Sequence, residues 1–201
     1  MAQAEAVSKL ADTLDAFVSR FAESHHLVLV GGLAVSARTV PRFTRDVDFT
    51  AAVSDDAEAE SLVLAAQSLG YVVEAALEQS GAGRLATVRL RRANEPIVDL
   101  LFAACGIEAE IAAAATSILV LGKLVPVATV GHLIAMKLLS RDPKKRPRDE
   151  DDLIELARVA DDVEWNRAAN AVALIEARGF ARKRDLRSAL ADVRALDLTG
   201  G

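Results

Sequence analysis

The sequence predicts a mixed α/β chain that ends in a run of helices, and three observations predict it. Leu27-Val28-Leu29-Val30 is a short, continuous apolar run, suited to a strand buried on both faces, and Gly31-Gly32 and a helical run from Leu33 to Arg38 follow at once. Two further strand patterns, Thr44 to Phe49 and Ile97 to Phe102, carry carboxylates among apolar residues. From Thr129 onward every segment has helical spacing.

Taken in order, Met1 to Glu23 is an amphipathic helix whose stripe is Val7, Leu10, Leu14, Phe17 and Phe21. The first strand, the glycine turn, its helix and the Thr44–Phe49 strand follow. Ser54-Asp55-Asp56 caps a helix that runs to Leu69 and stops at Gly70. Tyr71 to Leu77 and Leu85 to Arg91 are strands around the turn Gly81-Ala82-Gly83, and Ile97 to Phe102 is a buried-type strand. Glu108 to Ala115 is an Ala-rich helix, and Ser117 to Leu121 with Val125 to Val127 forms a hairpin turned at Gly122-Lys123. The final helices are expected at Val130–Arg141, Asp149–Val159, Trp165–Arg178 and Ala181–Leu196, with a Pro-rich, basic loop from Asp142 to Arg148 as the best internal boundary.

Composition narrows the function classes. At 201 residues the chain holds one large domain, or one domain plus a helical extension, and a chain of this size buries roughly 70% of its unfolded surface. With 52% hydrophobic and 26% charged residues it is too apolar for disorder. Its single cysteine, Cys105, allows no internal disulfide, suits a reducing cytoplasm and reads as a small buried hydrophobe. Neither a signal peptide nor a membrane span is expected, because charges interrupt the first helix throughout. The net charge of −5 argues against a general nucleic-acid coat but leaves room for a local basic patch.

The chemistry concentrates between Leu27 and Thr50. Glycines between a strand and a helix permit a sharp turn and leave amide N–H groups bare at a helix N-terminus, where phosphates bind; the plainer reading is a turn alone. On the next strand Asp46 and Asp48 share a face while Val47 and Phe49 point away. Adjacent carboxylates repel, and a divalent cation removes that cost; the plainer reading is a solvated strand end. Asp99 stands mid-strand among Ile97, Val98, Leu100 and Leu101, which is costly unless something pairs with it. It is either functional or a carboxylate that binds a backbone amide.

Gly31-Gly32 followed by Pro41-Arg42-x-Thr44-x-Asp46-Val47-Asp48 resembles the signature of the DNA polymerase β-type nucleotidyltransferase superfamily. The closer likeness is to its minimal branch, the AbiEii/MenT-like nucleotidyltransferases of bacterial toxin–antitoxin systems. Gly32 stands where the small antitoxin transferases carry Ser, which suits the AbiEii-like branch. The resemblance continues at Lys137, on the apolar stripe 130, 133, 134, 137 and 138, and at Arg148-Asp149-x-x-Asp152-Leu153. By residue type alone, Lys137 is equally a lysine snorkelling at the stripe's edge, and Asp149-x-x-Asp152 is equally a capping box.

The resemblance implies a nucleotidyltransferase (polymerase β-like) mixed-sheet core over residues 1–128, with its N-terminal helix, and a C-terminal helical bundle over 129–201 that completes the site. It implies transfer of NMP from an NTP to an acceptor hydroxyl, with release of pyrophosphate. Asp46, Asp48 and Asp99 are the implied ligands of Mg²⁺ or Mn²⁺. Asp46, Asp48, Asp99, Lys137 and Asp152 form the implied catalytic set, Asp152 more so than Asp149, and Gly31, Gly32, Thr44 and Lys137 bind the nucleotide. A toxin acting on RNA, at the end of a tRNA, is expected, with a cognate antitoxin as partner. The basic cluster Lys144-Lys145-Arg146 with Arg148 fits an anionic acceptor, although such a run is commonly only a solvated loop. Three rivals stand beside this expectation: an antibiotic-type small-molecule nucleotidyltransferase, a non-catalytic nucleotide-binding or antitoxin-like protein, and a structural helical partner. The intact Asp46, Asp48 and Asp99 set weighs against the second, and the third leaves the mid-strand acids unexplained.

Overall fold

The computed structural model describes residues 2–79, 83–142 and 148–198. The chain runs through α1 (Ala2–Phe21), β1 (Leu27–Val30), α2 (Gly31–Arg38), β2 (Asp46–Ala51) and α3 (Asp56–Ser68). It continues with β3 (Val72–Gln79), β4 (Arg84–Arg91), β5 (Ile97–Leu101), α4 (Glu108–Ala114), β6 (Thr116–Val120) and β7 (Lys123–Val127). Four helices close it: α5 (Val130–Ser140), α6 (Arg148–Val159), α7 (Asp162–Ala177) and α8 (Leu186–Leu198). The fold is mixed α/β, as the sequence predicts.

The strands form one seven-stranded sheet in the order β3-β4-β5-β2-β1-β7-β6. β1 is antiparallel to β2 and parallel to β7, while β2 is parallel to β5. The apolar run of β1 is buried along its whole length, as a central strand covered on both faces must be. On β2 the alternation divides the two faces. Val47 and Phe49 enter the core, where Phe49 stacks on Phe17 of α1 at 5.6 Å, so α1 covers that face. Asp46 and Asp48 point the other way, toward the C-terminal helices. One buried cluster runs from Leu29 and Val47 to Leu133 and Trp165, so sheet and terminal helices share a core.

Several boundaries differ from expectation, each for a local reason. Helix α2 begins at Gly31 itself rather than at Leu33. Val7 is exposed, so the stripe of α1 that enters the core starts at Leu10. The hairpin turns at Leu121-Gly122, one residue early, because a two-residue loop of this hand needs positive φ at both central positions, here 49° and 80°. α7 starts at Asp162 because Asp161 caps it by accepting from the Glu164 amide at 2.8 Å. α8 starts only at Leu186, where Asp185 accepts from the Ser188 amide at 2.9 Å. The expected turn at Gly81-Ala82 lies outside the described residues. No helix among the described residues is long and apolar enough to cross a membrane.

Candidate active site

Strand register assembles the first half of the site. Asp48 pairs with Val30 on one side and with Asp99 on the other, and Asp99 pairs with Arg89 of β4. Paired residues in adjacent strands place their side chains on the same face. The row Arg89, Asp99, Asp48 therefore crosses three strands, with Asp46 two residues along from Asp48. Arg89 closes a fork on Asp99: Nε donates to Oδ1 at 2.9 Å and Nη2 to Oδ2 at 2.7 Å. That bond raises the Arg89 guanidinium above its ordinary range, with partial burial opposing. Asp99 is buried, and the Arg89 fork offsets the cost of its charge.

The helices supply the second half. Lys137 of α5 donates through Nζ to Asp149 Oδ1 and to Asp152 Oδ2, both at 2.7 Å. Arg42, in the loop before β2, reaches the same Asp152 through Nη2 at 2.6 and 2.9 Å and through Nε at 3.0 Å. Ser140 donates to Asp149 Oδ2 at 3.1 Å. Two basic and two acidic groups thus tie the β2 approach to α5 and α6. Asp149 and Asp152 both turn to Lys137, and neither ranks above the other by position.

Gly31 joins the halves. Its φ is +67°, and a Cβ there would lie 2.0 Å from Asp48 Oδ2, so only glycine fits on both counts. Gly32 is less constrained: a Cβ there would fall 3.1 Å from Arg42 Nη2, the far end of a flexible side chain. Because α2 starts at Gly31 without a side-chain cap, its first amides are the orphan donors of a helix N-terminus. Thr44 lies in the preceding loop rather than on β2, and its buried Oγ1 has no hydrogen-bond partner among the described residues.

Gly32, Thr44, Asp46, Asp48, Asp99, Lys137 and Asp152 all line one groove of about 430 Å³, and Gly31 borders it beside Asp48. Its charged lining is Asp46, Asp48, Asp99, Asp149 and Asp152 against Arg42, Arg45, Arg89, Lys137 and Arg148. Formal charges cancel, so a polyphosphate entering the groove needs a cation to come with it. The donors are carboxylate oxygens, the type that suits Mg²⁺, which one or two carboxylates and substrate phosphates hold. Asp46 and Asp48 fit that role. Both Asp99 oxygens accept from Arg89, and each keeps a second lone pair that a cation or a proton can take. Among the described residues no group of three or more Asp, Glu, His or Cys side chains is placed to hold a metal ion.

Sequence reasoning missed Arg89 and gave Arg42 no role of its own. Arg42 belongs to the Pro41-Arg42-x-Thr44-x-Asp46-Val47-Asp48 motif, yet its partner lies 110 residues away. Arg89 carried one signal, a cation in an alternating strand, but only the antiparallel register pairs it with Asp99. Lys144, Lys145 and Arg146 lie outside the described residues. Cys105 is buried, its thiol is pushed well up by desolvation, and it donates to Glu108 Oε1 at 3.3 Å, so it packs rather than reacts.

The sequence profile of the family described as "Nucleotidyl transferase AbiEii toxin, Type IV TA system" matches residues 12–198. A comparison with curated proteins finds no match. Among solved structures the chain is similar to the lincomycin-bound lincosamide antibiotic adenylyltransferase LnuA, with 14% identity over 76% of this chain and 97% of that one, at a TM-score of 0.49. For the antibiotic-resistance factor ANT(2'')-Ia the identity is 19% over 94% and 89% of the two chains, at 0.46. For the nucleotidyltransferase toxin MenT4 from Mycobacterium tuberculosis it is 18% over 96% and 94%, at 0.41.

Proposed function

The chain belongs to the AbiEii nucleotidyl transferase toxin family, and from that premise we propose that this nucleotidyltransferase passes NMP from an NTP to a hydroxyl of RNA, at the end of a tRNA. The observation that carries the reading is the single groove in which the Asp46, Asp48, Asp99 row faces the Lys137, Asp149, Asp152 network. Asp46 and Asp48 would hold a divalent cation, which would screen the triphosphate and stabilise charge on the leaving oxygens. The amides of Gly31 and Gly32 orient the phosphates, and the Thr44 side chain lies beside them. Asp99 takes the proton of the acceptor hydroxyl. The acceptor oxygen bonds to the α-phosphorus, the bond from that phosphorus to the bridging oxygen breaks, and pyrophosphate leaves.

Lys137 acts here through position. Its charge is already balanced by Asp149 and Asp152, so it steers a phosphate oxygen rather than supplying net attraction. The same balance argues against a cationic drug as acceptor, because those two acids are spent on Lys137 and Arg42. Arg45 and Arg148, exposed residues of the groove lining, suit the phosphates of an RNA strand. A toxin of this family implies a cognate antitoxin that restrains it.

The test is incubation of the protein with each radiolabelled NTP and total RNA. Label is expected in RNA of tRNA length, and reversing Arg45 and Arg148 to Glu should raise the KM for RNA and flatten its salt dependence by about 0.7 log units per lost contact. Label found in protein or in a small molecule and never in RNA would sink the RNA assignment.

A further inference from the structure

Beside the charged groove lies a second cavity of about 150 Å³, and the two share Gly32, Asp48 and Lys137 in their linings. The second space differs in character: Leu101, Leu133, Met136 and Leu139 line it, together with the exposed residue Arg182. Arg182 and its neighbour Lys183 both have positive φ, 53° and 63°, a conformation that non-glycine residues rarely adopt. The turn brings Arg182 Nη2 to the Ala104 carbonyl at 3.1 Å, which fixes the guanidinium on the cavity wall with one of its five donors.

We propose that this cavity seats the base of the nucleotide substrate, and that Arg182 selects bases bearing a carbonyl oxygen; the proposal rests on the nucleotidyl-transfer reading above. With the phosphates at Gly31 and Gly32 and the cation at Asp46 and Asp48, the base stands one sugar away. The aliphatic cavity that shares those residues is the space that accepts it. A base has apolar faces and a polar edge, and the cavity offers aliphatic walls with the Arg182 guanidinium fixed at its side. Its volume is well under the roughly 300 Å³ at which drug-sized ligands are enclosed, so it takes one ring system and no more.

The edge chemistry then decides among bases. Arginine only donates: guanine offers it two adjacent acceptors, O6 and N7, and a pyrimidine its O2, whereas adenine offers a ring nitrogen beside an amino group that itself donates and so opposes the guanidinium. The other polar side chains of the lining are already engaged. Ser140 donates to the Lys137 carbonyl and Asp149, the Lys137 ammonium lies between Asp149 and Asp152, and Cys105 donates to Glu108. Asp48 is assigned to the cation.

The experiment is calorimetric titration of the protein with GTP, CTP, UTP and ATP in Mg²⁺ buffer, without acceptor, and with inorganic triphosphate as the base-free probe. At least one carbonyl-bearing NTP is expected to bind about tenfold or more tighter than ATP. Arg182→Met, at an exposed position, should bring that ratio near one and leave triphosphate binding unchanged. Met136→Trp, which fills the cavity, should weaken all four NTPs about tenfold and again spare triphosphate. ATP binding as tightly as the others, or NTP affinities indifferent to both variants, overturns the base seat while the transfer reading stands. Binding of neither NTPs nor triphosphate overturns the transfer reading, and the base seat with it.

Discussion

At Asp99 the sheet buries a carboxylate to 8% exposure and meets it with the Arg89 fork from the adjacent strand. Arg89 itself is nearly half exposed, so the pair is partly screened and its loss costs only on the order of 1 kcal/mol. Asp99→Asn keeps the shape of the group and should leave the fold intact while transfer falls by about 10²-fold or more, the scale of general-base loss. A collapse in stability with unchanged activity per folded molecule would instead make Asp99 a structural partner of Arg89. The carboxylates on β2 have their own test. Mn²⁺ titration in the presence of NTP, followed by the paramagnetic signal of the free ion, should show a site in the wild type that Asp46→Asn with Asp48→Asn removes. Equal binding by both proteins would place the ion elsewhere. Asp99 was conspicuous in the sequence because a charge inside an apolar strand is expensive, and Asp46 and Asp48 because two like charges share one strand face. Arg89 was not, since an arginine in an alternating strand is ordinary until its partner is known.

At the scale of elements, the Lys137 network couples the loop before β2 to α5 and α6. Lys137, Asp149 and Asp152 keep only 13%, 7% and 3% of their side-chain surface. Lys137→Met would leave two carboxylates close together with Arg42 as their main counter-charge. The expected cost is about 3 kcal/mol, at the low end for breaking a buried pair because Arg42 remains, read as a shift in the urea midpoint. A lysine that merely snorkelled at a helix edge would cost well under 1 kcal/mol on the same substitution. Periodicity identified each of these helices, and their boundaries were less secure. Asp161 and Asp185 cap α7 and α8, yet each precedes further charged residues, so neither stands out as a helix start.

Over the whole molecule, His132 registers how the terminal helices pack. It lies buried on α5, bonded to Thr129 Oγ1 at 3.1 Å, with Arg167, Glu164 and Glu110 around it. Burial first and Arg167 second push its pKa down to about 4 from the ordinary 6.5. The folded state therefore holds it neutral where the unfolded chain is already taking up a proton. Stability present above about pH 6.5 is lost progressively as pH falls from about 6.5 to about 4, by on the order of 3 kcal/mol from this group. Urea unfolding at pH 7.5, 5.5 and 4.5 should show this fall, and His132→Gln should remove that share of it. Identical pH dependence in the two proteins would mean that the carboxylates alone set the slope.

What the sequence determined by itself is what local physics writes into the order of residues. Apolar runs of strand length, a glycine pair where a strand gives way to a helix, and acids out of place in β2 and β5 can all be read without knowing what touches what. The tertiary structure alone decided which of those elements are neighbours. The parallel register of β2 with β5 sets Asp48 against Asp99, the antiparallel register of β4 brings Arg89 to it, and helix packing closes Arg42 onto Asp152 across 110 residues. Register and helix docking depend on the sum of many buried contacts, no single one of which leaves a mark in the sequence.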